Sequence, residues 1–156
     1  MKVLFVCLGN ICRSPTAEAI FQKLVDEAGL GERIKIDSCG TSGNHDGEPA
    51  DNRMQTHSEK RGYNLTSVSR GITKQDLKDF DYILAMDDKN FDDIIRLDED
   101  KAYTRKVHRM ISFCKGNPPP EVPDPYYGGP DGFEEVLDIL EDSCRQLLSV
   151  VRQRLA

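Results

Sequence analysis

The chain has 156 residues, 38% of them apolar, which suffices for one well-formed core and argues for a single domain over residues 1–156. With 31% charged residues and a mean hydropathy of −0.54, the composition excludes a disordered or membrane-embedded protein. A net charge of −6 argues against a general nucleic-acid binder, which needs a basic face.

Taken in chain order, Lys2 to Cys7 is a β-branched and aromatic run of strand length. It is too short for a signal segment or a membrane span, so a cytoplasmic location with no membrane partner is expected. There the five cysteines are thiols with reactive or packing roles rather than bridges. Gly9 and Asn10 interrupt the run, and Ser14-Pro15 opens a helix, with Ser14 as its cap and Pro15 at its first position. Ala17, Ile20, Phe21, Leu24, Val25 and Ala28 recur at helical spacing before Gly29 stops them.

Ile34 to Cys39 predicts a second strand, followed by a turn-rich stretch from Gly40 to Gly47. Helices are expected over Pro49–Arg61, Thr73–Asp79 and Asp87–Leu97, with a buried strand at Tyr82–Met86 between the last two. Lys106–Ile111 reads as a fourth strand and Gly116–Gly132 as a long loop. Phe133, Val136, Leu137, Leu140, Cys144, Leu147, Leu148 and Val151 then trace the apolar stripe of a last helix. Strands alternating with helices imply an α/β fold with a parallel sheet and helices on both faces.

The segment Cys7-Leu8-Gly9-Asn10-Ile11-Cys12-Arg13-Ser14 lies between the first strand and the first helix. In open α/β sheets ligands bind where such a loop leaves a strand end and feeds a helix N-terminus. Consecutive N–H groups there form an anion-binding nest, which the helix dipole reinforces. Gly9 curls without a Cβ, Asn10 tolerates positive φ, and Arg13 offers a planar fork for two oxyanion oxygens. Cys7 sits in this positive field, the setting in which a thiolate is the reactive form, and the Ser14 hydroxyl is expected to hydrogen-bond that thiolate. Cys-x5-Arg alone is weak, arising by chance in about one comparable chain in three. Requiring a following Ser or Thr, a strand before and a helix after makes coincidence rare.

Far downstream, Val122-Pro123-Asp124-Pro125-Tyr126-Tyr127-Gly128-Gly129 places an aspartate between two prolines, on a stiff loop barred from a helix. By itself it reads as a turn. Beside a thiolate nucleophile it supplies the acid that must protonate a departing ester oxygen.

These residues resemble the low-molecular-weight protein tyrosine phosphatase family from Val3 nearly to the C-terminus. The resemblance rests on Val6 to Pro15, Asp37-Ser38-Cys39-Gly40-Thr41, Leu84-Ala85-Met86-Asp87 and Asp124 to Gly129, in the family's order and at similar spacing. It implies Cys7 as nucleophile, Arg13 as phosphate clamp and Asp124 as general acid and then base. It further implies that the Leu8–Ser14 backbone binds phosphate while Asn10, Ser14 and Ser38 hold the loop. Tyr126 and Tyr127 flank the cleft. The implied fold is a four-stranded parallel sheet flanked by helices, with no metal or cofactor. Phosphotyrosine-bearing proteins are the implied substrates, phosphate and other oxyanions the active-site ligands, and a monomer the expected state.

Two departures stand out. Many members carry an aromatic residue opposite the tyrosine, where this chain aligns Asn44; many also have a loop-supporting histidine where this chain has Ser67, expected to substitute as a shorter donor. Cys12, inside the loop, is expected to trap oxidised Cys7 as a disulfide. His45, His57 and His108 read as isolated surface or packing residues, and Cys114 and Cys144 as packing residues. The acidic clusters at Asp87-Asp88, Asp92-Asp93 and Asp98-Glu99-Asp100 read as a solvated face. Three rival readings remain. An arsenate reductase would need a relay cysteine pair past mid-chain, yet none lies between Cys39 and Cys114. A phosphocarrier would not need Asp124, and a phosphotyrosine-binding module would need neither nucleophile nor acid.

Overall fold

A computed structural model describes residues 1–156. The elements run β1 (Lys2–Cys7), α1 (Arg13–Glu27), β2 (Lys35–Gly40), α2 (Asn52–Glu59), α3 (Lys74–Asp79), β3 (Tyr82–Ala85), α4 (Asp88–Leu97), β4 (Val107–Arg109) and α5 (Pro130–Leu155). The strands form one parallel sheet, as the alternation of elements predicts, and the structure orders them β2-β1-β3-β4. From β1 the chain crosses to β2 on one side, then returns to place β3 on the other. The strand order therefore reverses at the carboxyl end of β1, where open sheets bind ligands.

Side-chain alternation along β1 divides the core between the two faces of the sheet. Val3, Phe5 and Cys7 belong to the larger core with α1 and α5; Leu4 and Val6 belong to the smaller one with Leu77 of α3 and Ile94 of α4. On the larger face Phe5 meets Phe21 edge to face, ring centroids 5.6 Å apart. Cys144 is fully buried there, its thiol 3.7 Å from the Ala17 carbonyl, so its role is packing. His108 lies between Tyr82 and Phe113, again as packing. No helix is long and apolar enough to cross a membrane.

Several boundaries differ from the expected ones for local reasons. Helix α1 begins at Arg13 with Cys12 as its cap residue, and Ser14 does not cap it. Helix α2 begins only at Asn52, because the Asp51 carboxylate accepts from the Arg53 and Met54 amides and fixes the start there. Strand β4 shrinks to three residues between 3-10 turns at Thr104–Lys106 and Met110–Phe113. Helix α5 starts at Pro130, inside the stretch expected to be loop, using proline where a missing N–H costs nothing. Asp98, read as solvated, is buried and accepts from the Ala102 and Tyr103 amides and the Thr104 hydroxyl.

Asp76 ties the segment leading into β3 to the sheet. It completes a capping box with Thr73 and pairs with Arg70, which also pairs with Asp37 of β2. Burial alone would push its carboxyl up, but the Arg70 and Thr73 hydrogen bonds outweigh this and hold it below the ordinary range. A depressed folded-state value means stability that is full above the unfolded value and is lost as pH falls. Asp76→Asn should therefore lower neutral-pH stability by about 1–3 kcal/mol in urea melts. The gap to the parent should narrow in acid; a gap unchanged down to about pH 2 would remove the charge of Asp76 from the account.

Candidate active site

The loop joining β1 to α1 is shaped by what its carbonyls do. The carbonyls of Cys7, Leu8 and Ile11 accept from the amides of Thr41, Ser42 and Asp51, and that of Gly9 accepts from the Ser69 hydroxyl. With its carbonyls bound outward, the loop turns its amides inward. Asn10 N–H donates to the Cys7 sulfur at 3.3 Å, while those of Leu8, Gly9, Ile11, Cys12, Arg13 and Ser14 donate to no protein group. Asn10 makes the curl with φ of 56°. A Cβ on Gly40, at the end of β2, would fall 2.7 Å from the Leu8 carbonyl oxygen, so only glycine lets the loop lie against the sheet.

Cys7 is buried at the centre of this bowl. Ser14 Oγ stands 3.0 Å from its sulfur, and Asn10 Nδ2 donates to Ser14 Oγ at 2.7 Å and to Ser38 Oγ at 3.0 Å. Ser14 thus faces the thiol rather than the helix amides. The Arg70 amide donates to Asn10 Oδ1, fixing which way that side chain points. Ser67, expected to support the loop, makes no direct hydrogen bond to it and instead lies against Glu18, whereas Ser69 donates to the Gly9 carbonyl.

The Arg13 side chain is 3% exposed and runs along the cleft wall. Its Nη1 donates to Asp87 Oδ2 at 2.6 Å and to the Val122 carbonyl at 3.1 Å; its Nη2 lies 3.5 Å from Asp124 Oδ2. Burial works against the charged guanidinium, but the nearby Cys7, Asp87 and Asp124 outweigh it and leave Arg13 firmly cationic. Asp87, read from sequence as part of a solvated acidic face, instead caps α4 through the Asn90 amide and anchors Arg13. Its signal was its place directly after a buried strand, where α/β folds bring loops to the ligand end. Asp124 Oδ1 accepts from the Tyr126 amide, leaving the carboxyl on the rim and 35% exposed.

A cavity of about 110 Å³ opens above the sulfur, lined at its base by Cys7, Gly9, Cys12 and Arg13 and on its walls by Leu8, Ile11, Asp124 and Tyr126. Asn44 and Tyr127 also border it, both exposed. The aromatic wall facing Tyr126 is His45, its ring centroid 6.2 Å away and its Nδ1 2.6 Å from Glu48 Oε2. The isolated-residue reading of His45 is thereby corrected. One position separates Asn44 from His45, and only the path of the loop decides which side chain turns inward.

A concave ring of unpaired amides, a buried arginine and an adjacent carboxyl around one cysteine define a thiol enzyme acting on a tetrahedral oxyanion ester. The low molecular weight phosphotyrosine protein phosphatase model matches residues 2–156, and the chain belongs to that family. It is 47% identical over 155 residues to slr0328 of Synechocystis, covering 99% of both chains. A protein tyrosine phosphatase from Entamoeba histolytica, solved with Hepes in its active site, superposes with a TM-score of 0.94 at 45% identity, over 100% of this chain and 99% of that one. A drosophila arginine phosphatase superposes at 0.90 and 33% identity, over 97% and 98%. The chain is a cysteine-dependent phosphatase.

Removing the anchor of Arg13 should loosen oxyanion binding more than it harms the fold. In Asp87→Ala the inhibition constant of inorganic phosphate should rise about tenfold, the scale of one lost charged hydrogen bond. An unchanged constant would show that Arg13 needs no partner. His45→Ala should raise KM for aryl phosphates by several-fold, roughly the scale of one aromatic contact, with Asn44→Ala changing it less. The opposite order would return the wall to Asn44.

Proposed function

We propose that this protein hydrolyses phosphotyrosine in protein substrates by two in-line displacements at Cys7. The observation that carries this reading is the alignment of inward amides, Arg13 and Asp124 around one buried sulfur. The Cys7 thiolate attacks phosphorus; an S–P bond forms as the ester P–O bond breaks, and Asp124 gives its proton to the departing phenolic oxygen. Loop amides and Arg13 receive the charge that gathers on the equatorial oxygens. Ser14 stabilises the sulfur as it leaves in the second step, when Asp124 takes a proton from water and the S–P bond breaks to release phosphate.

Substrate class follows from the walls. Leu8, Ile11 and Tyr126 offer apolar faces to a flat ring, and Asp124 is the only carboxylate lining the cavity. A guanidino group would find no second acid to pair with, and a phosphoserine is too short to reach the sulfur while touching the walls. Aryl phosphates should therefore outpace phosphoarginine and phosphoserine in kcat/KM.

The two catalytic groups must be in opposite states, Cys7 ionised and Asp124 protonated, so kcat/KM should describe a bell against pH. Asp124→Asn should lower kcat on poor leaving groups by roughly 10²–10⁴-fold and erase the alkaline limb of that bell. Cys7→Ser should bind phosphotyrosyl peptides without releasing phosphate, and a chelator should leave the parent rate unchanged. Full turnover by Cys7→Ser would end the thiol mechanism.

Cys12 gives the site a second property. It is buried in the same cavity, and burial, with Asp51 and Cys7 adding to it, pushes its thiol up, so it stays protonated while Cys7 reacts. Peroxide converts the Cys7 thiolate to a sulfenic acid; the Cys12 sulfur displaces its hydroxyl, releasing water and forming a disulfide. After peroxide and then dithiothreitol, the parent should regain activity while Cys12→Ser should not. Equal recovery would leave Cys12 with packing alone.

A further inference from the structure

A surface groove of about 570 Å³ lies away from the cleft, between α1 and the segment that follows α2. Glu18 lines it, and Lys23, whose Nζ sits 5.2 Å from the Tyr63 ring centroid, closes one side. Glu18 takes no part in the chemistry above. Its carboxylate nevertheless faces inward and accepts from Ser38 Oγ at 2.5 Å.

That contact is the far end of a chain of hydrogen bonds whose direction the Arg70 amide begins. Arg70 N–H occupies Asn10 Oδ1, so both protons of Asn10 Nδ2 are donated, one to Ser38 and one to Ser14. Ser38 therefore accepts from Asn10 and must give its own proton elsewhere; Glu18 is the acceptor it has. Ser14, accepting from Asn10, has its own proton to give to the Cys7 sulfur at 3.0 Å or the Cys39 carbonyl at 3.4 Å, and the sulfur is the nearer. Burial pushes the Glu18 carboxyl up, with Asp37 adding to this, while the Ser38 and Ser67 hydroxyls and Arg70 draw it back.

We infer that Glu18 is a positioning residue of the phosphate loop, acting through Ser38 and Asn10 on Ser14 and the Cys7 sulfur. Without its acceptor oxygen, the Ser38 proton competes for the space that Asn10 uses, and the loop loses the bond that holds its most strained residue. Chains of such bonds polarise one another, so the effect reaches further than one contact. This assignment rests on the phosphatase reading, yet its failure is separable from failure of that reading. Parent turnover of p-nitrophenyl phosphate tests the phosphatase; the variants and phosphate binding test Glu18.

The experiment is a double-mutant cycle between Glu18→Met and Ser38→Ala, read by kcat/KM for p-nitrophenyl phosphate and by calorimetric Kd for inorganic phosphate. Glu18→Met alone should lower kcat/KM and weaken phosphate binding about tenfold each, the size of one lost charge-assisted hydrogen bond. Glu18→Gln keeps an acceptor oxygen and should stay within about threefold of the parent. In the Ser38→Ala background Glu18→Met should cost nothing further, because the path is already cut. Glu18→Ala, favourable in a helix, serves as a second truncation should the methionine variant not fold. Additive losses, a glutamine variant as impaired as methionine, or unchanged kinetics in both truncations would each overturn the assignment.

Discussion

The structure depends on the outward pairing of the carbonyls between Cys7 and Ile11. A peptide group carries its donor and acceptor on opposite sides, so binding one side of a tight loop to protein presents the other side to its hollow. Thr41, Ser42, Asp51 and Ser69 come from three stretches of chain, which are themselves tied together by the Gly40–Gly71 and Pro49–Val68 bridges. The turn after β2, the cap of α2 and the bridge between Pro49 and Val68 exist in this arrangement to supply those partners. The anion site is thus a backbone property, and the side chains of Asn10, Ser14 and Ser38 keep it from relaxing.

Charge in the cleft follows a second constraint. A buried guanidinium needs compensation, or its desolvation would outweigh its usefulness. Asp87 supplies it from the end of β3, the strand next to β1, on the opposite side from β2. The sheet therefore brings one requirement of the site from each neighbour of β1: hydrogen-bond partners for the loop from beyond β2, a carboxylate for Arg13 from beyond β3. The switch in strand order makes both available at one strand end. Asp124 arrives separately, on a loop whose prolines exclude regular structure and hold it at the rim.

Motif chemistry in the sequence determined much of this. Cys7, Arg13 and Ser14 at their spacing, with a strand before and a helix after, point to an oxyanion loop, and only in company with that loop does Asp124 between prolines read as the acid we propose. The strand–helix alternation determined the sheet and its two covered faces, because side-chain period and segment length are local properties. What sequence could not settle were the choices made by distant contacts. Ser14 reads both as a helix cap and as a partner of the Cys7 thiolate until the sulfur and Asn10 claim its hydroxyl; Asp87 looks solvated until Arg13 reaches it; His45 looks isolated until the loop turns it toward Tyr126. The start of α2 moved because Asp51 caps it, and β4 is short because 3-10 turns take the residues at either end. In each case the residue type is compatible with two environments, and only the path of the chain through space selects between them.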